Sequence, residues 1–205
     1  HRITHAHMVP TMFVRLLKLP AEVRQRYDVS SMEQITHGAA PCAAEVKQAM
    51  IAWFGPILVE YYGGTEVGIS HLCSSEDWLK KPGTVGSLTP NSRVAIYDDD
   101  GQPQGPGGIG EIYVKTEMVP DFDYKSLPDK RLEVERDGLI SIGDIGYQDE
   151  DGYLFLCDRR NDMVISGGVN IYPAEIEAAL VTMDGVGDCA VFGIPDAEFG
   201  EALMT

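Results

Sequence analysis

Two segments of this chain place a carboxylate beside glycines, a combination that suits binding of phosphate, metal or ribose. The first is YGGTE at residues 62–66, which follows an apolar run typical of a buried strand. Backbone N–H groups after glycines can face an anion, the Thr65 hydroxyl can bind a phosphate oxygen, and the Glu66 carboxylate suits Mg²⁺. Two glycines after a strand also form ordinary turns, and for this segment alone that alternative stays open.

The second segment is IGDIG at residues 142–146, which holds Asp144 between apolar residues and glycines just before a predicted β-hairpin. A carboxylate in such a setting can accept hydrogen bonds from both hydroxyls of a ribose. An ordinary turn or a helix cap would also explain an Asp at this position. The sequence therefore makes Asp144 a candidate ribose ligand.

A third stretch joins a charged run to a glycine-rich one. The run DRRND at residues 158–162 is a poor strand and predicts a hinge between two bodies. SGGVN at residues 166–170 predicts a flexible loop between a strand and a helix. A plain connector would explain the glycines but not the charges before them.

The histidines give a weaker signal than the acids. His5 and His7 lie two residues apart on a predicted strand and therefore on one face, which is a spacing that can hold a metal ion. No third ligand lies nearby in sequence, so a role other than metal binding is favoured. His37 directly precedes GAAP at residues 38–41, and a lone histidine there is more often packed or solvated than a ligand.

Composition excludes several classes of partner. The 205 residues carry a formal net charge of −16, which disfavours nucleic acid because its binding depends on clustered Lys and Arg. No apolar run approaches the roughly 18 residues needed to span a bilayer, and the start lacks the order of a signal peptide. Four cysteines without CxxC spacing indicate reduced thiols. These features predict a cytoplasmic protein with neither nucleic acid nor transmembrane segment.

The pattern of elements predicts an α/β protein in three parts. Residues 1–80 show βα organisation, residues 81–158 favour a small antiparallel sheet or distorted barrel, and residues 159–205 begin a further unit. The predicted elements are helices over residues 9–19, 43–54 and 173–183, strands over residues 57–62, 94–97, 110–114, 153–156, 163–165 and 189–192, and a charge-rich loop with a helical turn over residues 121–137.

Taken together, these segments resemble the adenylate-forming superfamily of AMP-forming acyl-CoA synthetases, nonribosomal adenylation domains and luciferases, over nearly the whole chain. GAAP at residues 38–41 is similar to the family's adenine-side motif, YGGTE at residues 62–66 to its YGxTE motif, and Gly143-Asp144 to its ribose motif. Residues 159–177 are similar to its hinge and following loop, the most specific match. The resemblance implies part of a large N-terminal domain, with a βα layer and a β-barrel-like subdomain, followed by the start of an α+β C-terminal domain that swivels.

The resemblance also implies a role for each matching residue. Thr65 would contact the α-phosphate, Glu66 would hold Mg²⁺, and Asn161 would occupy the hinge, where the family usually has Asp or Lys. The implied nucleotide ligands are Ala39, Ala40, Pro41, Tyr62, Gly63, Gly64, Thr65, Asp144 and Arg159; Ser166, Gly167 and Gly168 would line the coenzyme A channel, and Gly63, Gly64, Val67 and Gly68 the substrate pocket. The family's phosphate loop and catalytic lysine are expected before His1 and beyond Thr205, so the chain is expected to be an internal piece that cannot adenylate alone.

The activity that the resemblance implies is that of an AMP-forming acyl-CoA ligase using ATP, Mg²⁺ and coenzyme A. The small apolar residues near Gly63 and Val67 favour a hydrophobic carboxylic acid over an amino acid. Residues 118–124 and 137–144 most resemble ligases that act on fatty, steroid or bile-type acids. An adenylation domain that loads a carrier protein and a nucleotide-binding module without catalytic activity remain as alternatives.

Overall fold

The computed structural model describes residues 2–127, 129–181, 183, 185–187 and 189–205. The strands are β1 His5–Met8, β2 Gln34–His37, β3 Leu58–Gly64, β4 Gly68–Ser74, β5 Thr84–Leu88, β6 Ser92–Tyr97, β7 Gly110–Thr116, β8 Glu135–Arg136, β9 Leu139–Gln148, β10 Leu154–Arg159, β11 Val164–Ser166, β12 Val169–Ile171, β13 Phe192–Asp196 and β14 Gly200–Met204. The helices are α1 Pro10–Leu17, α2 Ala21–Arg24, α3 Ala44–Phe54, α4 Ser75–Lys80, α5 Lys130–Val134 and α6 Pro173–Leu180.

Ten strands form one large sheet that starts with three parallel strands. Its order is β1-β2-β3-β4-β5-β10-β9-β7-β6, and β8 pairs with β9 at the side of this path. The pairs β1–β2 and β2–β3 are parallel, and every later pair is antiparallel. This mixed pattern and the helices that cover it confirm the predicted α/β class.

Helices α1 and α3 cover the parallel strands, as their apolar spacing predicts. Proline stands at the first position of α1, where its missing N–H is no loss, and Phe13 of this helix is fully buried. Helix α3 ends at Phe54 and is followed by Gly55, which takes φ +86, a conformation that favours glycine. Phe13 packs with Met50 and Leu58 in one core, which holds β3 against α1 and α3.

The large sheet curves so strongly that its two halves share a second core. Tyr62 and Val67, at the end of β3 and the following turn, are buried together with Ile112 of β7 and Ile140 of β9. The predicted small antiparallel sheet over residues 82–155 is indeed antiparallel, but it continues the parallel strands because β4 pairs with β5. The division into residues 1–80 and 81–158 stays a prediction.

A second, four-stranded sheet follows the large one, in the order β12-β11-β14-β13. The strand predicted over residues 189–192 is wrong for most of its length, because β13 begins only at Phe192. The backbone N–H of Val191 is instead bound by the Glu177 side chain of α6, at 2.8 Å. Helix α6 ends at Leu180, earlier than predicted, and Thr182 lies outside the described residues.

The prediction that the charged run at residues 158–162 is not strand is wrong for its first two residues. Strand β10 continues through Asp158 and Arg159, which pair with Ile145 and Asp144 of β9 after an irregularity in register. Asp144 accordingly lies inside a strand rather than in a turn or a helix cap. In the described part of the chain, no helix is both long enough and apolar enough to cross a membrane.

Candidate active site

The curvature of the large sheet brings Tyr62 of β3 to Asp144 of β9, although three strands separate these two in the sheet order. The Tyr62 hydroxyl donates to Oδ2 of Asp144 at 2.9 Å, across 82 residues of sequence. Nε of Arg159 lies 3.5 Å from Oδ1 of the same carboxylate. Three residues predicted separately as nucleotide ligands therefore form one cluster.

Burial and hydrogen bonding act in opposite directions on Asp144. The residue is 8% exposed, and its burial raises the pKa of the carboxyl above the usual value. The Tyr62 hydrogen bond and the Arg159 charge act to lower that pKa, while Asp158 acts to raise it. A buried carboxylate with one hydrogen bond and one ion pair keeps acceptor positions for further hydroxyl groups.

The backbone beside Asp144 is fixed by its neighbours. Gly143 takes φ +86, its N–H donates to the Ser141 hydroxyl at 3.0 Å, and its carbonyl accepts from the N–H of Arg160 at 2.8 Å. The Arg160 guanidinium in turn lies 2.5 Å from a Glu111 carboxylate oxygen of β7. These contacts hold the strand segment that carries the acid.

The turn after β3 places Glu66 close to β9, the strand that carries Asp144. A β-carbon on Gly64 would lie 3.2 Å from Cδ1 of Ile142 in β9 and 3.6 Å from Oε2 of Glu66. Ile142 stands two residues before Asp144, so both predicted acids flank one region. The turn is tight, because a β-carbon on Gly63 would lie 1.8 Å from the carbonyl oxygen of Gly68. This close approach of the backbone explains why position 63 is a glycine, whether or not a substrate binds there.

The surroundings of Glu66 suit one kind of metal site. The half-buried carboxylate accepts the Tyr124 hydroxyl at Oε1, at 3.2 Å, and Thr65 beside it is exposed. The described residues contain no group of three or more His, Cys, Asp or Glu that could hold a metal ion. Mg²⁺ commonly takes one or two carboxylates together with substrate phosphates, and Glu66 fits that mode. The sequence missed Tyr124, which lies in a segment predicted only as a charge-rich loop.

The predicted adenine-side segment leaves the sheet beside β3. Ala39, Ala40 and Pro41 are exposed, and Ala39 takes φ +66. A β-carbon on Gly38 would lie 2.6 Å from the carbonyl oxygen of Tyr61, the residue before Tyr62. The segment therefore borders the strand that carries Tyr62.

Val67 and Gly68 lie close to packed side chains. Val67 is 2% exposed and lines a cavity of about 40 Å³ together with Val119 and Phe122. A β-carbon on Gly68 would lie 2.4 Å from Cγ2 of Val119. The substrate pocket around Gly63, Gly64, Val67 and Gly68 stays a prediction.

His37 is a packed histidine. It is fully buried, its ring meets the Phe13 ring edge-on at 5.0 Å, and neither ring nitrogen has a hydrogen-bond partner within the described part of the chain. Burial, assisted by the nearby charges of Lys47 and His7, lowers its pKa to about 3. Of the pair His5 and His7, for which a role other than metal binding is predicted, His7 places its Nε2 3.2 Å from the Tyr61 hydroxyl.

A buried ion pair links α3 to β3, and the sequence analysis missed it. Nζ of Lys47 on α3 lies 2.6 Å from Oε2 of Glu60 on β3, and the lysine side chain is completely buried. Lys47 stands three residues before Met50, on the face of α3 that packs into the core. A single lysine on an apolar helix face was the available signal.

The charged run and the glycine loop both lie at the surface, the run in the connection between the two sheets and the glycines between β11 and β12 of the second sheet. Asn161 is exposed in a turn closed by the N–H of Met163 and the carbonyl of Arg159 at 3.1 Å. Oδ2 of Asp158 accepts the N–H of Ala174 at 2.9 Å, which ties the start of α6 to β10. Ser166 ends β11, and Gly167 and Gly168 follow with φ +59 and +81. The loop predicted between a strand and a helix over residues 166–170 is wrong, because Val169 and Asn170 belong to β12, which pairs with β11. The hinge and coenzyme A roles of these residues stay predictions.

Two models of known protein families match this chain. Residues 1–120 match the model of a family described as AMP-binding enzyme, and residues 175–205 match the AMP-binding enzyme C-terminal domain. The chain belongs to the AMP-binding enzyme family. The predicted resemblance to adenylate-forming enzymes is thereby confirmed.

Relatives in the AMP-binding family carry several activities. The chain is 37% identical to a long-chain-fatty-acid–CoA ligase of Bacillus subtilis (strain 168), over 99% of the chain and 36% of that protein. It is 34% identical to the fatty acid–[acyl-carrier-protein] ligase ScoC of Streptomyces coeruleorubidus, over 97% of the chain and 38% of ScoC. The fold matches the amide bond synthetase McbA of Marinactinospora thermotolerans with a TM-score of 0.89 and 31% identity, over 98% of the chain and 41% of McbA. The chain thus spans well under half the length of these relatives.

Proposed function

We propose that this chain forms the nucleotide-binding portion of an AMP-forming acyl-CoA ligase. The observation that carries the proposal is the cluster of Tyr62, Asp144 and Arg159, whose side chains meet although they come from distant parts of the sequence. A buried carboxylate held between a phenol and a guanidinium suits the vicinal hydroxyls of a ribose. The exposed Thr65 and the Glu66 carboxylate, on the turn that borders the same strand, suit the phosphates.

In the proposed reaction, the protein mainly positions ATP and offsets its charge. Asp144 and Arg159 bind the ribose, the Tyr62 ring borders the adenine, and the Thr65 hydroxyl donates to the α-phosphate. The substrate carboxylate attacks the α-phosphorus, the bond to the β-phosphate oxygen breaks, and acyl-AMP and pyrophosphate form. Mg²⁺ held at Glu66 would supply positive charge that neutralises the phosphates. The thiol of coenzyme A then attacks the acyl carbonyl carbon and loses its proton to solvent, the acyl C–O bond to the phosphate breaks, and AMP leaves.

Nucleotide binding by the 205-residue chain tests this proposal directly. We expect ATP to bind with a Kd that Asp144→Ala raises with or without Mg²⁺, and that Glu66→Ala raises only when Mg²⁺ is present. Glu150→Ala, at an exposed position between β9 and β10, serves as the matched control. If both variants bind ATP like the control under all conditions, the nucleotide site lies elsewhere and the proposal is wrong.

A hydrophobic carboxylic acid is the proposed substrate. The support is chemical, since the residues from Gly63 to Gly68 are small or apolar apart from the acid and hydroxyl assigned to the phosphates, and the Bacillus relative is named for long-chain fatty acids. ATP/pyrophosphate exchange by the full-length protein with a panel of fatty, aromatic and amino acids tests this substrate class. Exchange driven by amino acids alone would contradict it.

A carrier protein is the second candidate for the thiol acceptor. ScoC, which shares 34% identity, is named for transfer to an acyl carrier protein. Supplying the full-length enzyme, with acyl-AMP formed from ATP and the acid, with either free coenzyme A or a phosphopantetheinylated carrier separates the two cases. We expect thioester formation with free coenzyme A, and product on the carrier alone would replace our proposal by the alternative.

A further inference from the structure

Tyr62 forms a hydrogen bond with Asp144 and Arg159 forms an ion pair with it, but only Tyr62 is itself held in place. Tyr62 is 7% exposed, packs in the core formed by β3, β7 and β9, and lies with its ring 5.8 Å from the buried ring of His71. The side chain of Arg159, by contrast, is 66% exposed. A buried ring keeps its hydroxyl in one position, whereas an exposed arginine samples many rotamers. The orientation of the carboxylate is therefore set by Tyr62.

We propose that the Tyr62 hydroxyl is a positioning group that fixes the Asp144 carboxylate in the orientation that receives the ribose hydroxyls. A carboxylate offers about four acceptor positions, so the hydrogen bond from Tyr62 to one oxygen leaves further positions for a diol. This role is separate from the contact of the Tyr62 ring with adenine, and it rests on the proposed nucleotide site. The Tyr62 side chain would thus have two functions: its ring borders the adenine and its hydroxyl orients Asp144.

The same hydrogen bond also favours the ionised form of Asp144, because it opposes the rise in pKa that burial causes. The charged and titratable groups that act on this carboxyl are Tyr62 and Arg159, which lower its pKa, and Asp158, which raises it. When the Tyr62 hydroxyl is removed, less opposes the effect of burial, and the pKa of Asp144 rises further. Nucleotide binding by a Tyr62→Phe variant should then weaken at a higher pH than binding by the wild type.

The test compares Tyr62→Phe with Tyr97→Phe. Tyr97 is equally buried, at 7% exposure, and its hydroxyl donates to Oδ2 of Asp137 at 2.6 Å, outside the proposed site. Calorimetric titration with ATP and with 2′,3′-dideoxy-ATP, between pH 6 and 8, separates contacts to the ribose hydroxyls from all others. For Tyr62→Phe we expect about tenfold weaker ATP binding, with a larger loss at pH 6, and unchanged binding of the dideoxy nucleotide. Tyr97→Phe should match the wild type with both nucleotides.

Two results would overturn the inference while leaving the proposed function intact. One is wild-type affinity of Tyr62→Phe for ATP, and the other is an equal loss for ATP and the dideoxy nucleotide, which would place the effect on the adenine or on packing. A wild-type chain that binds neither nucleotide would instead refute the proposed function and the inference with it.

A fluorine probe tests the same point if Tyr62→Phe does not fold. Replacing Tyr62 by 3-fluorotyrosine keeps both the ring and the hydroxyl, and the ¹⁹F resonance reports on that hydroxyl's partner. We expect the resonance to differ between the complexes with ATP and with 2′,3′-dideoxy-ATP. Identical resonances in the two complexes would overturn the positioning role.

Discussion

The two buried histidines should make the fold acid-sensitive well above the pH at which most carboxylates titrate. Burial lowers the pKa of His37 to about 3 and that of His71 to about 4 in the folded chain. An unfolded histidine titrates near 6.5, so below this pH the unfolded chain binds protons that the folded chain refuses. The stabilising effect of each neutral histidine is therefore complete above about pH 6.5 and is lost progressively as the pH falls toward the folded pKa.

The size of the effect follows from the two pKa values. Each pH unit between them changes the free energy of unfolding by about 1.4 kcal/mol. Lowering the pH from 7 to 5 should thus cost about 2 kcal/mol for His37 and about 2 kcal/mol for His71. Because domains are typically stable by about 5–15 kcal/mol, the combined loss is a large fraction of the total.

Two buried carboxyls act in the opposite sense and require a variant comparison. The pKa values of Glu60 and Asp144 are raised, chiefly by burial. Their contribution to the free energy of unfolding therefore rises as the pH falls. Comparing His37→Gln with the exposed-position control His5→Gln removes their contribution, because both variants keep both acids.

Urea denaturation at pH 7 and pH 5 measures the difference. The fall in unfolding free energy between the two values should be smaller by about 2 kcal/mol in His37→Gln than in His5→Gln. If His37→Gln loses as much stability as the control, His37 accepts a proton in the folded state. Its buried ring would then have a partner or a path to water, and the reasoning from burial would be refuted.

Two further predictions concern groups that support the site. Lys47→Ala should lower the unfolding free energy in urea by about 3–5 kcal/mol, because it leaves the buried Glu60 carboxylate unpaired; a loss below about 1 kcal/mol would show that the pair is hydrated. Tyr124→Phe should raise the Mg²⁺ concentration for half-maximal ATP binding about threefold, because Glu66 loses its hydroxyl donor. Tyr153→Phe, which removes a comparable hydrogen bond to an acid elsewhere, should leave that concentration unchanged, and equal shifts in both variants would contradict the role of Tyr124.

The local elements of this protein are readable from its sequence. The apolar spacing in α1 and α3 and the run ahead of YGGTE identify the helices and the buried strand, because period and length are properties of neighbouring residues. The glycine-rich segments likewise identify the family. Element ends are less readable, as β10 and β13 show, because they depend on partners elsewhere: Asp144 for Arg159, and Glu177 for the segment before Phe192.

The tertiary structure alone decides which of these residues meet. Nothing in the spacing of Tyr62 and Asp144 indicates that their side chains share a hydrogen bond, because the contact arises from the curvature of a ten-stranded sheet. The same holds for Tyr124, which reaches Glu66 from a loop that looks merely solvated in the sequence. The sequence by itself determined which chemical groups this protein carries and the family to which it belongs. Their burial, orientation and protonation were decided by long-range packing, because the desolvation that shifts a pKa exists only once distant strands exclude water.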